Sequence, residues 1–376
     1  MFAYLHIPFC GSRCIYCDFY SGTEKRLIPD YIAALKAEIR YRHREVSSIE
    51  PLQSIYFGGG TPSQLSPKQI AELIDLLASL YGVAPNAEIT LEANPEDMLP
   101  DYVRQIAKLP INRISMGVQS WQDRDLLFLR RRHNAERAER AVRLCQDEGL
   151  SNISLDLIYG LPEQTLALWQ SNLLKTISLR PTHISAYHLV YEEQTALTKL
   201  LQAGSVEEVS EELSLTLFSL LIEQLAAAGY EQYEISNFAT VGHRAVHNSA
   251  YWKGEAYLGF GPAAHSYDGQ HIRRANEANL KTYIQALRKG MDAPHINEHL
   301  DQRDLVNEAI MCALRTMEGI DMQSFALRFG QKALQSIMQA ASSYLTKGDL
   351  FKTDTHLRLS RKGIFISDRI MSDLFV

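Results

Sequence analysis

The stretch FAYLHIPFCGSRCIYCDF, residues 2–19, decides how the rest of the chain is read. Residues 2–7 form a β-like run, and just past its end Cys10, Cys14 and Cys17 fall within eight residues of one another. Similar runs recur at 54–57, 88–92, 113–118, 152–158 and 183–188. Between them apolar residues return at helical spacing: Tyr31, Ala34, Leu35 and Ile39, then Ile70, Leu73, Ile74 and Leu77, then Leu166, Trp169, Leu173 and Ile177. Six β-then-α units predict parallel strands joined by right-handed crossovers. A full or partial (β/α) barrel and a doubly wound sheet both satisfy that pattern.

Beyond residue 190 the character changes. A helix is expected over 206–228, with Val209, Leu213, Leu217 and Leu221 on one face. A region rich in Tyr, Gly and His, 230–267, shows little periodicity. Helical patterns at 305–317, 322–329 and 332–345 precede a short β-like run at 351–359 and a last helix at 362–374, the outline of a winged-helix-like tail. These shifts divide the chain into 1–190, a connecting region at 191–280 and a C-terminal segment at 281–376.

Composition narrows the class. The 376 residues carry 38 Lys and Arg against 44 Asp and Glu, a formal charge of -6, which argues against a chain that lives on nucleic acid. No apolar run approaches the roughly 18 residues of a membrane span, although peripheral association with a membrane stays open. No basic segment followed by an apolar stretch opens the sequence, so no signal peptide is expected and the chain is assigned to the cytoplasm. In that reducing setting the cysteine cluster is not a disulfide framework. Cys145 and Cys312 share apolar helical stripes and read as small core residues.

In parallel α/β folds ligands gather at the carboxyl ends of the strands. Each expected strand delivers an unusual element there: the three cysteines, then Gly58, Gly59, Gly60, Thr61 and Pro62, then Glu92, Gln119, Asp156, and finally Tyr187 and His188. Three thiolates with no local fourth can leave one position of an iron–sulfur cluster open, since such clusters normally use four cysteines. Alternatively, His6 could complete a Cys3His zinc site. The glycines let backbone approach a small polar ligand, or simply make a tight turn. On the first reading, bulk at Gly59 or Gly60 should weaken binding without unfolding the barrel. The run Arg130, Arg131, Arg132 reads as a solvated helix entrance from which one side chain could turn inward toward a carboxylate.

With these residues placed, the chain resembles the radical S-adenosylmethionine (SAM) proteins, in the branch of the coproporphyrinogen dehydrogenases. The segments IPFC at 7–10, GGGTP at 58–62, EANPE at 92–96, SMGVQ at 115–119 and DLIYGLP at 156–162 match that branch in order. The resemblance implies a partial (β/α)6 TIM-like barrel with a small helical, winged-helix-like C-terminal domain. It implies a [4Fe–4S] cluster held by Cys10, Cys14 and Cys17, with SAM at the open iron. Tyr4, Gly59, Gly60, Thr61 and Glu92 match SAM contacts, while Gln119, Arg131 and Asp156 match contacts to a further SAM in the oxidase.

Two relatives compete within the branch. One is the oxygen-independent coproporphyrinogen III dehydrogenase, a decarboxylating enzyme of heme synthesis. The other is the HemW-type heme chaperone, which keeps the cluster and SAM site but binds heme for delivery to heme-dependent respiratory proteins. The dehydrogenase carries another cysteine where this chain has Phe19, and it extends upstream of its cysteine loop, whereas Cys10 stands near the start here. The sequence His247-Asn248-Ser249-Ala250-Tyr251-Trp252 matches the HNxxYW motif of the chaperones. The resemblance thus implies a non-catalytic heme carrier with His247 as heme ligand, its imidazole suited to iron and its aromatic neighbours to a porphyrin face. His243, four residues earlier, would pair with His247 if the segment were helical. Two positions depart from the chaperone pattern, which often has glycine at Arg130 and at Ala263.

Overall fold

A computed structural model describes residues 1–44 and 50–376. The strands follow from a period-two alternation that is polar on one side and apolar on the other. Strands β1 (Phe2–Ile7), β2 (Leu52–Gly59), β3 (Val83–Ala93), β4 (Arg113–Gln119), β5 (Ile153–Tyr159) and β6 (His183–His188) pair in parallel in that order. Register sets Ser54 beside Glu88, Thr90 beside Arg113, Ser115 beside Ser154, and Asp156 beside Ser185. The intervening residues, among them Phe57, Leu91, Met116, Leu155 and Ile184, are buried in the main hydrophobic core. Successive strand residues face opposite sides. The polar set therefore fills the barrel interior, and the apolar set meets the surrounding helices.

Those helices are α1 (Ile28–His43), α2 (Pro67–Tyr81), α3 (Pro100–Ile106), α4 (Asp123–Phe128), α5 (Ala135–Asp147) and α6 (Leu166–Ser178). Ser66 caps α2, accepting from the backbone N–H of Gln69, while the Gln69 side chain accepts from the backbone N–H of Ser66. The expected stripes of α1 and α2 are buried throughout, as are Ala138, Ala141, Val142 and Cys145 of α5. Leu166, at the start of α6, is exposed instead.

After β6 come α7 (Ala196–Gln202) and α8 (Glu211–Ala227), the latter capped by Ser210 and shorter than its stripe suggested. The region 230–267 is more regular than its sequence. It holds β7 (Glu231–Gln232), β8 (Asn237–Ala239), α9 (Val246–Trp252), β9 (Tyr257–Phe260) and β10 (His265–Tyr267), followed by β11 (Ile272–Asn276), α10 (Leu280–Arg288) and β12 (His295–His299). Strand β8 pairs antiparallel with β6, and β9 pairs parallel with β1. The sheet order β12-β11-β10-β9-β1-β2-β3-β4-β5-β6-β8-β7 does not return to its start, so the barrel stays open, a partial (β/α)6 barrel. The sheet thus runs on through His299, past the segment boundary drawn at 281.

The C-terminal segment contains α11 (Gln302–Arg315), β13 (Ile320–Asp321), α12 (Met322–Phe329), α13 (Gln331–Lys347), β14 (Leu350–Lys352), β15 (His356–Leu359), α14 (Arg361–Ile364) and α15 (Ser367–Asp373). The β-like run at 351–359 is a hairpin, and β13 completes a three-stranded antiparallel sheet of winged-helix type. Among the described residues no helix is long and apolar enough to cross a membrane.

Candidate functional site

The six strand ends converge on one cavity of about 420 Å³ at the barrel mouth. Cys10, Cys14, Cys17, Gly59, Gly60, Thr61, Glu92, Gln119, Arg131 and Asp156 all line it, as do Tyr187 and His188. Thr61 Oγ1 lies 3.4 Å from Cys10 Sγ, and Arg131 Nη1 lies 3.5 Å from Cys14 Sγ. Burial pushes the Cys17 thiol up to about 11, against the help of a backbone hydrogen bond from Phe19. Of the arginine run, Arg131 is the one that turns inward. Its Nη2 donates to Asn94 Oδ1 at 2.5 Å and to the Gly117 carbonyl at 2.7 Å, while its buried Nε has no acceptor. Arg132 instead lies over Gly11 of the cysteine loop, and Arg130 is exposed.

Two of the acids that line the cavity sit in unlike company. Glu92 Oε1 accepts from the Tyr56 hydroxyl at 2.8 Å, and burial lifts its carboxyl to about 7. Asp156, 3.4 Å from Ser115 Oγ, is lifted to about 6, again mainly by burial and against the pull of Arg113. Arg113 and Tyr56 also line the cavity, and a search confined to strand ends misses both. Arg113 is 2% exposed, 3.9 Å from Glu88, and its Nε and Nη1 lack hydrogen-bond acceptors. The inward alternation along β2 and β4 is the signal that could have found them.

The glycines are tighter than their sequence reading allowed. A Cβ at Gly60 would come within 2.9 Å of the Ile7 and Phe9 carbonyl oxygens. Gly59 has φ 105°, and its Cβ would meet the His6 ring at 2.7 Å. Bulk here strikes protein, not only ligand, so the expectation of an undisturbed barrel is corrected. Gly60→Val should displace the loop that carries Cys10, lowering bound iron and the melting temperature together; unchanged melting would contradict this. Gln119, Arg130 and Ala263 also hold positive φ, 68°, 57° and 62°, without being glycine. The last two are the positions where the sequence departs from a glycine pattern, so the backbone keeps the shape that glycine favours.

Two expected contacts lie behind the wall. Tyr4 does not line the cavity; its ring stacks on Tyr56 at 6.1 Å and its hydroxyl bonds His6 Nδ1 at 3.1 Å. His247 is 1% exposed and stacks on Tyr56 at 4.9 Å. Its Nδ1 bonds Ser54 Oγ at 2.6 Å and its Nε2 bonds the Tyr251 hydroxyl at 2.9 Å. Both ring nitrogens are engaged in this structure, so either bond would have to open for His247 to meet an iron. Glu88 accepts from the backbone N–H groups of Val246 and His247 at 3.0 Å each, fixing α9 to the barrel. His243 precedes α9 and makes no i, i+4 pair.

Burial, aided by the charge of Arg113, pushes His247 down to about 3. A depressed folded pKa gives stability that is present above the unfolded value, about 6.5, and is lost as pH falls toward the folded one. Below about pH 6 this residue alone should cost about 1.4 kcal/mol per pH unit. Denaturant unfolding at pH 7 and pH 5 should show His247→Gln losing less stability than wild type across that interval; equal losses would contradict the assignment.

The radical SAM superfamily profile matches residues 4–171, and the HemN C-terminal domain profile matches 300–366. That is the class the open barrel and its cysteine-lined mouth define. The heme chaperone HemW of Bacillus subtilis is 30% identical over 98% of this chain and 97% of its own length. The heme chaperone HemW of Synechocystis is 36% identical over 85% of this chain and 78% of its own. The coproporphyrinogen III oxidase HemN from Escherichia coli shares the fold, with a TM-score of 0.85, 21% identity and coverage of 100% of this chain and 90% of the other. The chain belongs to the HemW family of radical SAM proteins. Membership in the superfamily implies SAM and a [4Fe–4S] cluster.

The residues present fit those groups. Three thiols share one loop at a cavity, and Glu92 and Asp156 are among the carboxyls it offers to a cationic ligand. Buried nitrogens of Arg113 and Arg131 await acceptors. Among the described residues, no three His, Cys, Asp or Glu side chains close around a single metal ion. His6, the fourth ligand that zinc would need, has Nε2 on the Tyr20 carbonyl at 2.8 Å and Nδ1 on Tyr4.

Proposed function

We propose that this chain is a heme chaperone, binding heme and passing it to heme-dependent respiratory proteins, with a [4Fe–4S] cluster and SAM at the barrel mouth. The observation that carries this reading is the similarity to HemW chaperones over nearly the whole chain. Cys10, Cys14 and Cys17 would hold the cluster, and when bound the cluster and SAM supply one-electron chemistry. Thr61 and Arg131 touch two of the thiols and orient them, and the Arg131 charge offsets thiolate charge. Glu92, aimed by Tyr56, would accept from the SAM amino group or ribose beside Gly59, Gly60 and Thr61. Gln119 and Asp156 complete the wall. Tyr4 acts at one remove, packing Tyr56 in place. Phe19, 62% exposed at the cavity rim, occupies the position where the dehydrogenases carry a cysteine.

The test is to titrate reconstituted protein with hemin while assaying coproporphyrinogen III conversion in parallel with SAM and a reductant. One equivalent of bound heme with a Soret band and no conversion supports the chaperone. Protoporphyrinogen formation would establish the dehydrogenase reading instead.

A further inference from the structure

Arg113 begins β4, deeper in the barrel than the strand ends, and its side chain reaches the cavity while only 2% exposed. A guanidinium stays charged in a protein. Among the described residues only the Glu88 carboxyl comes within 4.0 Å of it, at 3.9 Å. Glu88 already accepts from the backbone N–H groups of Val246 and His247. Arg113 Nε and Nη1 make no hydrogen bond. The floor of the barrel therefore holds a buried positive charge that no single acceptor claims. The other inward cation, Arg131, is bonded to Asn94 and to the Gly117 carbonyl.

Register sets that charge beneath Asp156 and Glu92. Arg113 and Ser115 stand two apart on β4 and point the same way. Ser115 Oγ lies 3.4 Å from Asp156 Oδ1, and Glu92 stands beside Ser115 on β3. Burial lifts Asp156 to about 6, and the Arg113 charge is the first influence against it, ahead of Ser185, Ser115 and Arg131. Burial also lifts Glu92 to about 7, opposed by Tyr56, reinforced by Asp156, and opposed again by the Gly59 N–H and Arg113. Around Arg113, burial pushes His183 of β6 and His247 of α9 down, and Tyr56 of β2 and Tyr233 up, so none of these is charged at neutral pH. Asp18 and Glu192, which also line the cavity, are exposed. Buried carboxyls that repel one another ionise together only with a cation at hand. We propose that Arg113 is a positioning residue of the SAM site, a cation at the barrel floor that holds Asp156 and Glu92 as carboxylates facing a cationic ligand. The proposal rests on the SAM reading and adds what keeps the pocket anionic.

SAM affinity of the full-length, cluster-loaded protein is measured anaerobically by equilibrium dialysis from pH 6 to pH 9, with a melting curve for each variant. Wild-type affinity should rise with pH as the acids ionise. Arg113→Met removes the charge that opposes burial, so the midpoint of that rise should move up by about one pH unit or more, with binding about tenfold weaker at pH 7. The two proteins should converge at pH 9. Arg113→Lys keeps the charge and should keep the wild-type midpoint. Should Arg113→Met fail to fold with Glu88 left unpaired, Glu88→Gln combined with Arg113→Met removes both members of the pair and should show the same upward shift. A guanidinium that only props the barrel would weaken SAM equally at every pH. An unmoved midpoint, or a shift in Arg113→Lys as large as in Arg113→Met, overturns the proposal while the SAM site stands. If wild type binds no SAM, both fall.

Discussion

Cys14→Ser should leave the protein, after anaerobic reconstitution, with little bound iron and sulfide, while wild type retains a cluster. The loop supplies three thiols and no fourth, so each loss removes a third of the protein ligation and leaves nothing in reserve. The effect should exceed about a hundredfold in retention, beyond the 10–100-fold typical of supporting residues around a metal. Folding should survive, because Cys14 is only half-buried and its neighbour contact is the 3.5 Å approach of Arg131. Iron and sulfide analysis with EPR of the reduced protein reads the cluster; far-UV circular dichroism reads the fold. The alternative zinc site would require His6 to give up its bond to the Tyr20 carbonyl or to Tyr4. Stoichiometric zinc in wild type, with no iron after reconstitution, would restore it.

The second large effect is expected at Glu92. Its carboxyl titrates near pH 7 because burial opposes ionisation more than Tyr56 favours it. Only the ionised form pairs with a cation, so SAM affinity should rise from pH 6 to pH 8 as the proton leaves. Glu92→Gln keeps the shape and one acceptor but removes the charge. A hydrogen bond to a charged group is worth about 1.5–3 kcal/mol, so the variant should bind SAM roughly ten- to a hundredfold more weakly at pH 8. It should also lose most of the pH dependence. Equilibrium dialysis with labelled SAM would measure this. Equal affinity for both proteins at pH 8, or a dependence that survives the substitution, would remove Glu92 from the SAM site.

The barrel was legible because its signals are local. Residues 2–7 and 183–188 alternate over a full strand, and the observed strands have those same bounds. The site was legible in outline for the same reason, since strand ends are where the fold gathers ligands. What the sequence concealed depends on which side of a wall a residue lies. Tyr4 and His247 belong to matching motifs, yet both lie behind the cavity, each stacked on the Tyr56 ring of β2. Arg113 begins its strand and so escaped a reading of strand ends, although its side chain reaches the same cavity. The region 230–267 looked irregular because its strands are two to four residues long and pair with one another and with the distant β6, β1 and β11. No pattern within so short a strand reports a partner elsewhere in the chain.

The most direct test of the central claim is transfer. Hemin-loaded protein, freed of unbound heme, is mixed with a heme-free respiratory cytochrome, and both partners are separated and their Soret spectra recorded. The chaperone account predicts that heme leaves this chain and appears in the cytochrome, faster than from an equal amount of heme on serum albumin. Heme that stays on this chain, or reaches the cytochrome no faster than from albumin, would contradict it.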